Sequence, residues 1–245
     1  VAAAGLDAGS QRLAALGEEA NRNPPRLVTY SRTGERQDLV EFHPAYHELL
    51  ANQIRHGAHN LTWTEEARPG AAVARGAIFY LLTQPEQGVS CPISMTHAVV
   101  PSLRTDPELA GEWWPRIASR EYDPSFQPAS HKRGVTFGMA MTEKQGGSDV
   151  RANSTRAEPI GAGAYLLRGH KWFCSAPMCD AFLTLAQAPG GLTCFLVPRW
   201  RPDGTQNNFF IQRLKDKLGN KSNASSEVEY DQTWAQRLGG EGRGA

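Results

Sequence analysis

Cysteine is scarce in this chain. The four residues Cys91, Cys174, Cys179 and Cys194 form no C-x-x-C pair. They are too sparse for a disulfide scaffold and point to a reducing compartment, with the cytoplasm as the default location. An excess of either charge is also lacking, since 26 lysines and arginines face 25 aspartates and glutamates. No chain-wide field would then draw the protein to nucleic acid or to an anionic membrane, and such a partner would need a local patch. Long apolar runs are missing too. GAIFYLL and AFLTLA fall far short of the roughly 20 residues that a membrane-spanning helix requires, so the chain reads as soluble with no membrane partner. The opening VAAAGLDAGSQRLAAL lacks an initiator methionine, a charged n-region and an apolar h-region, and both it and the closing GGEGRGA read as cuts. There is no internal repeat and no low-complexity tract.

What remains is a globular composition, long enough at 245 residues to bury roughly 70% of its unfolded surface in one large domain or two ordinary ones. Up to about residue 121 the apolar spacing is helical. Leu6, Leu13, Leu16 and Ala20 line one face; His47, Leu50, Ile54, Ala58 and Leu61 line another, entered through Pro44 at a first helical position. A segment opened by Pro69, running through Val73, Ala77, Tyr80 and Leu81, is apolar on most sides and is predicted to lie in the middle of a helical bundle. Leu109, Trp113 and Ile117 repeat every four residues, and Pro115 should end or kink that helix. The first half is expected to be all-α.

YDPSFQPASHKRG, residues 122–134, carries two prolines and no periodicity, which marks a connection. Beyond it, runs rich in β-branched and aromatic residues alternate with turn signals: GVTFGMAMT, STRAEP, YLLRGHKWFCS, AFLTLAQ, LTCFLVPRW and SSEVEYD. The fold class is therefore α+β: an N-terminal helical domain over 1–133, then an antiparallel β-barrel or sandwich domain over 134–245 with about six or more strands.

Two stretches carry chemistry. In MTEKQGGSDV, residues 141–150, the N–H groups around Gly146 and Gly147 can point inward as a concave anion site, because glycine permits positive φ. Thr142 and Ser148 add hydroxyls at the two ends. The alternative is a helix start, as Thr142 to Gln145 has capping-box spacing, and Lys144 with Asp149 could be a solvated surface pair. In GHKWFCSAP, strand alternation turns Phe173 and Ser175 to one face and Cys174 to the other. A ring beside a hydroxyl suits a flat heteroaromatic ligand; a core phenylalanine and a turn serine before Pro177 is the plainer alternative.

Together these stretches resemble the acyl-CoA dehydrogenase family. AMTEKQGGSDVRA is similar to the family's first signature, KWFCS to its aromatic–x–Ser/Thr flavin strand, and KLGNKSNASSEVEYD to its K-x-G-x-R-x-S pattern. TEKQGGSDV, NRNPP, EFHPAYHELL and CPISMTHA look nearest to the bacterial alkylation-response branch. Lys144 and Gln145 stand where the general family has proline and glycine. Lys221 stands where it has arginine, which loses a bidentate donor, so Lys221 is assigned no role.

The resemblance implies an α domain, a middle β domain and a C-terminal four-helix bundle, the last absent from this chain, in a homo-oligomer, a tetramer at full length. It implies FAD, with Met139, Met141 and Thr142 along the flavin, Gly147 and Ser148 in the loop that reaches the pyrophosphate, Phe173 stacked near the rings and Ser175 hydrogen-bonded around N5. It also implies dehydrogenation of an acyl-CoA-like thioester, in which a carboxylate removes the α proton and a hydride leaves to the flavin. The family places that base in its C-terminal bundle, so no catalytic residue is assigned here and the chain alone is expected to be inactive; Glu143 is structural in the family. The branch further implies double-stranded DNA binding through the C-terminal domain, with a DNA-protective role and weak dehydrogenation as the alternative function.

Other constellations have weaker patterns. His43 and His47, with His56, His59, Glu65 and Glu66, could approach a metal site on facing helices, but the required Glu-x-x-His pairs are missing and no metal is expected. Cys174 reads as a buried structural thiol rather than a nucleophile. Trp113 and Trp114 beside Arg116 read as core packing rather than a base-stacking platform.

Overall fold

The computed structural model describes residues 1–66 and 68–244. Its first half is helical, with three corrections to the local reading. Ser10 interrupts the first apolar stripe, because its hydroxyl accepts the Leu13 N–H at 3.2 Å and caps a new helix. Helix α1 (Ala2–Ala8) and helix α2 (Gln11–Arg22) therefore present separate faces: Leu13 and Ala20 are buried, whereas Leu6 is 79% exposed. The half is also not purely α. Strands β1 (Arg26–Tyr30) and β2 (Arg36–Glu41) pair as an antiparallel hairpin.

Helix α3 (Pro44–Arg55) starts at Pro44 as expected, with His43 as its cap. After the short α4 (Leu61–Thr64) comes α5 (Ala71–Leu82), entered through Gly70 in the left-handed region. This helix lies at the surface rather than inside a bundle. Ala71, Ile78 and Leu82 are buried, but Val73 and Tyr80 are 77% and 67% exposed. Helix α6 (Ser90–Leu103) and helix α7 (Pro107–Ile117) follow. Asp106 caps α7, and the helix ends two residues after Pro115, with Leu109, Trp113 and Ile117 buried. Residues 122–134 form the connection, relieved only by a 3₁₀ turn at Ala129–His131.

The second half is a seven-stranded sheet made of β3 (Phe137–Ala140), β4 (Arg156–Gly161), β5 (Ala164–Ser175), β6 (Ala181–Ala188), β7 (Gly191–Pro198), β8 (Phe209–Leu214) and β9 (Ser225–Leu238). The sequence reading lacked β8. Most pairs are antiparallel, but β3 runs parallel to β6, so the sheet is mixed. It folds on itself as a sandwich rather than closing into a true barrel. The turn is made by β9, which pairs with β8 over Ser226–Tyr230 and with β7 over Gln236–Leu238. Between them Gln232 sits at φ 55°, beside a register shift against β5; such a bulge bends a strand from one layer into the other.

Helix α6 covers the outer edge of β3. Thr96 Oγ1 accepts the Phe137 N–H at 2.8 Å, and Met95 Sδ lies 3.2 Å from the Met139 nitrogen. An edge that would otherwise invite another strand is thus closed by side chains of the helical half. A core cluster spans this seam, joining Val99, Leu103, Trp113 and Ile117 to Phe137, Leu183 and Leu196. Among the described residues, no helix is long and apolar enough to cross a membrane.

Candidate functional site

The site grows from a bulge in β5. Lys171 pairs with Val228 and Cys174 with Ser226, so three steps on β5 match two on β9. Lys171 and Cys174 both turn inward and are fully buried, while Trp172 and Phe173 are left on the outside. Phe173 is 42% exposed and Ser175 half-buried, so the opposition of Phe173 and Ser175 to Cys174 holds, although strict alternation fails at Trp172. The bulge also frees the Trp172 N–H to donate to the Thr142 carbonyl at 2.9 Å. Cys174 Sγ lies 3.8 Å from the Met139 carbonyl. The end of β3 and the loop after it therefore run alongside β5, with Met139 and Thr142 beside Cys174 and Trp172.

The loop is a turn and not a helix start. Glu143 and Gly146 exchange backbone hydrogen bonds at 3.3 and 3.1 Å. The Gly146 N–H is thereby used inside the turn, which removes one of the two inward donors expected from the paired glycines. Gly146 has φ 140°. A Cβ at Gly147 would come within 2.7 Å of Thr142 Oγ1, so only glycine leaves that hydroxyl its space. Lys144, Ser148 and Asp149 are exposed on the outer part of the loop. Met139 and Met141 are half-buried and pack against the cluster at the α6 seam.

Glu143 anchors the turn from beneath. Its carboxylate accepts from Lys171 Nζ at 2.8 Å, from the Ser154 N–H and hydroxyl at 2.6 and 2.8 Å, and from the Thr155 N–H and hydroxyl at 3.1 and 2.6 Å. Burial pushes this carboxyl up, but the Lys171 ammonium and the Thr155 and Ser154 donors outweigh it and hold it down at about 2. A carboxylate with its lone pairs so fully engaged is a structural anchor. Lys171 also donates to the Leu185 carbonyl at 2.8 Å, tying the turn to the sheet.

Sequence reasoning missed the second row of this edge. Ser175 Oγ lies 3.1 Å from Ser225 Oγ, which in turn accepts from Lys217 Nζ at 3.2 Å. Lys215 Nζ sits 3.3 Å from the centre of the Trp172 ring, a cation–π contact, and pairs with Glu227 at 2.7 Å. The K-x-G-x-R-x-S resemblance was the available signal, yet its last position is Asn223 here.

The remaining candidates have their own partners. His43 caps α3; His47 pairs with the Tyr122 hydroxyl at 2.7 Å, His56 with Asp7 at 2.8 Å and His59 with the Ser119 carbonyl at 2.9 Å. No group of three metal-ligating side chains occurs among the described residues. Burial pushes the Cys174 thiol up to about 12, which suits an inert thiol. Trp113 is buried edge-on to Phe137 with ring centres 5.1 Å apart.

Comparison with known proteins agrees with this architecture. Residues 1–124 match the family described as "Adaptive response protein AidB N-terminal domain", and residues 138–233 match "Acyl-CoA dehydrogenase, middle domain". AidB of Escherichia coli (strain K12) is 50% identical over 245 residues, which are 100% of this chain and 45% of that protein. Among solved structures, Caenorhabditis elegans ACDH-11 in complex with C11-CoA superposes with a TM-score of 0.84 at 31% identity, over 95% of this chain and 40% of that one. Butyryl-CoA dehydrogenase from Megasphaera elsdenii has the same fold, with a TM-score of 0.67 at 16% identity, over 98% of this chain and 58% of that one. The chain thus spans less than half the length of AidB and of ACDH-11. With both halves matched in order, the chain belongs to the acyl-CoA dehydrogenase family, and carries an N-terminal domain of the AidB type ahead of an acyl-CoA dehydrogenase middle domain.

Proposed function

We propose that the chain supplies an α domain, residues 1–133, and a flavin-facing β domain, residues 134–245, to an FAD-binding oxidoreductase. It acts on CH–CH groups of acyl thioesters and belongs to the DNA-alkylation-response branch. The observation that carries this reading is the hydrogen bond from the Trp172 N–H to the Thr142 carbonyl, which sets the signature loop beside Phe173 and Ser175. The residues fit a flat cofactor: an aromatic ring left 42% exposed, hydroxyls at Thr142 and Ser175, and a glycine pair that keeps bulk away from the loop.

FAD, when bound, supplies the acceptor for a hydride. Phe173 covers part of its ring system. Ser175, backed by Ser225 and the Lys217 ammonium, donates a hydrogen bond to the ring edge and favours negative charge there. The Thr142 hydroxyl would hold the pyrimidine edge, with Met139 and Met141 along the flavin, and Ser148 with Gly147 would reach the pyrophosphate. No residue of this chain is assigned to remove the α proton. The acyl thioester is proposed from the C11-CoA in the complex of the C. elegans relative.

Fluorescence titration of FAD with the chain and with Phe173→Ala and Ser175→Ala tests the reading. Weak, saturable binding is expected, further weakened by each substitution. Loss of one hydrogen bond from Ser175 should cost about 1–3 kcal/mol. Equal affinity in all three proteins would put the flavin on another strand.

A further inference from the structure

A cavity of about 250 Å³ opens where the helical half meets the sheet. Its walls come from β2, α3, the start of α6, the connection at residues 122–134 and the turn that follows Ser175 at the end of β5. Much of the lining is apolar, with Val40, Phe42, Leu50, Pro92 and Met178 among its residues. An apolar cavity of about 150 Å³ holds benzene, so this one has room for a single ring with a substituent. It is smaller than the sites of about 300 Å³ and upward that take drug-sized ligands.

One polar group in the lining is left over. Tyr46 lines the cavity and is only 4% exposed, yet its hydroxyl has no hydrogen-bond partner among the described residues without being sealed from solvent. What little of this side chain is accessible therefore includes the hydroxyl, and the cavity is the space it opens into. Buried hydroxyls are ordinarily matched, so this one calls for a partner from outside the chain.

The charges in the walls are already matched. Lys132 Nζ pairs with Asp180 at 2.6 Å, the two side chains being 3% and 8% exposed, and it also donates to the Ser125 carbonyl at 3.1 Å. Asp123 accepts from the Ser125 N–H and hydroxyl, and Glu41 pairs with Arg26 at 2.6 Å. His47 is held through Nδ1 by the Tyr122 hydroxyl at 2.7 Å. Burial pushes the Tyr46 phenol well above its ordinary value and pulls His47 below its own, so both are neutral at neutral pH. A carboxylate entering here would meet Asp123 and Glu41 with no spare cation, and an ammonium would meet Lys132. Either would lose its hydration without a counter-charge.

We propose that this cavity binds a small neutral molecule made of one aromatic ring and one hydroxyl, a ligand of the phenol class. Phe42 and Tyr46 stack with ring centres 4.1 Å apart and give the cavity an aromatic wall, against which a flat ring packs well. The ligand hydroxyl, donor and acceptor at once, pairs with the Tyr46 hydroxyl in either direction. The assignment does not rest on flavin binding, since Thr142, Phe173 and Ser175 are not lining residues.

The test is calorimetric titration of the native chain and of Tyr46→Phe with phenol, toluene, benzoate and benzylammonium. Phenol should bind the native chain saturably, with benzoate and benzylammonium weaker by about tenfold or more because each brings an unmatched charge into a part-buried site. Tyr46→Phe removes only a hydroxyl that has no partner, so the variant should fold with a melting temperature equal to or above that of the native chain. It should bind phenol about threefold to tenfold more weakly, the loss of one neutral hydrogen bond, and toluene as well as the native chain does or better. Absence of saturation by phenol, a charged analogue that binds as tightly as phenol, or a phenol affinity that Tyr46→Phe lowers no more than it lowers that for toluene would each overturn the proposal.

Discussion

Replacing Lys171 by methionine is the sharpest test of how the signature loop is held. The side chains of Lys171 and Glu143 are 0% and 2% exposed and 2.8 Å apart. The substitution keeps most of the apolar stem but leaves a buried carboxylate facing only the Ser154 and Thr155 donors, and it strips the Leu185 carbonyl of its partner. Breaking one side of a buried pair costs about 3–5 kcal/mol, a large share of the 5–15 kcal/mol typical of a domain. The double variant Glu143→Gln with Lys171→Met removes both charges; the glutamine oxygen can still accept from Ser154, while its amide nitrogen faces Thr155, whose hydroxyl can turn to accept, so it should be more stable than Lys171→Met alone. The sign with pH follows from the depressed folded value. Glu143 ionises at about 2 in the native state against an ordinary 4.5, so its contribution is complete above the ordinary value and is lost as pH falls from there toward 2. That gap corresponds to about 3 kcal/mol, and the acid-side loss should be shallower in Lys171→Met. Urea unfolding midpoints at pH 7 and through the acid range measure both effects. A loss below about 1 kcal/mol for Lys171→Met at pH 7, or a double variant no more stable than the single one, would refute the reasoning.

Other expectations are simpler to check. Gly138→Ala places a Cβ against the buried Phe182 ring and should lower stability by about 1–3 kcal/mol through overpacking; an unchanged melting temperature would contradict this. Under native conditions Cys174 and Cys179, both buried, should resist a thiol-specific disulfide reagent until the chain unfolds, whereas half-buried Cys91 should react first, and peptide mapping of the labelled thiols gives the order. With 26 basic residues against 25 acidic ones, the chain should bind duplex DNA no better than non-specifically; a salt-dependent gel shift showing sequence-specific, sub-micromolar binding at physiological salt would go against it.

Much of the fold could be read locally because its signals are short-range. Pro44 and Asp106 start helices through their own backbone and side-chain chemistry, and the turn residues at 161–163 and 189–191 punctuate strands that form where the β-branched runs lie. The signature loop and the Phe173–Ser175 pair were legible for the same reason, since glycine spacing and strand alternation are properties of the chain itself. The hairpin was not. RLVTY and RQDLVE carry charges and little apolar pattern, and their pairing is braced from far along the chain, where the Ile211 N–H donates to Asp38 at 2.8 Å and Arg199 donates to the Asp38 carbonyl at 3.1 Å. Val73 and Tyr80 carry the same hydropathy whether buried or exposed, and the positions of α1 and α4 decide which face of α5 is covered. The bulge that turns both Trp172 and Phe173 outward arises because β9 offers one residue fewer than β5 over that span. Sequence by itself determined most of the elements, their order and the residue types along the Phe173–Ser175 edge. Tertiary structure alone decided which donors remain free there, because Gly146 is occupied by its own turn, Glu143 by Lys171, and Asn223 by nothing among the described residues, and each of those outcomes depends on where distant parts of the chain come to rest.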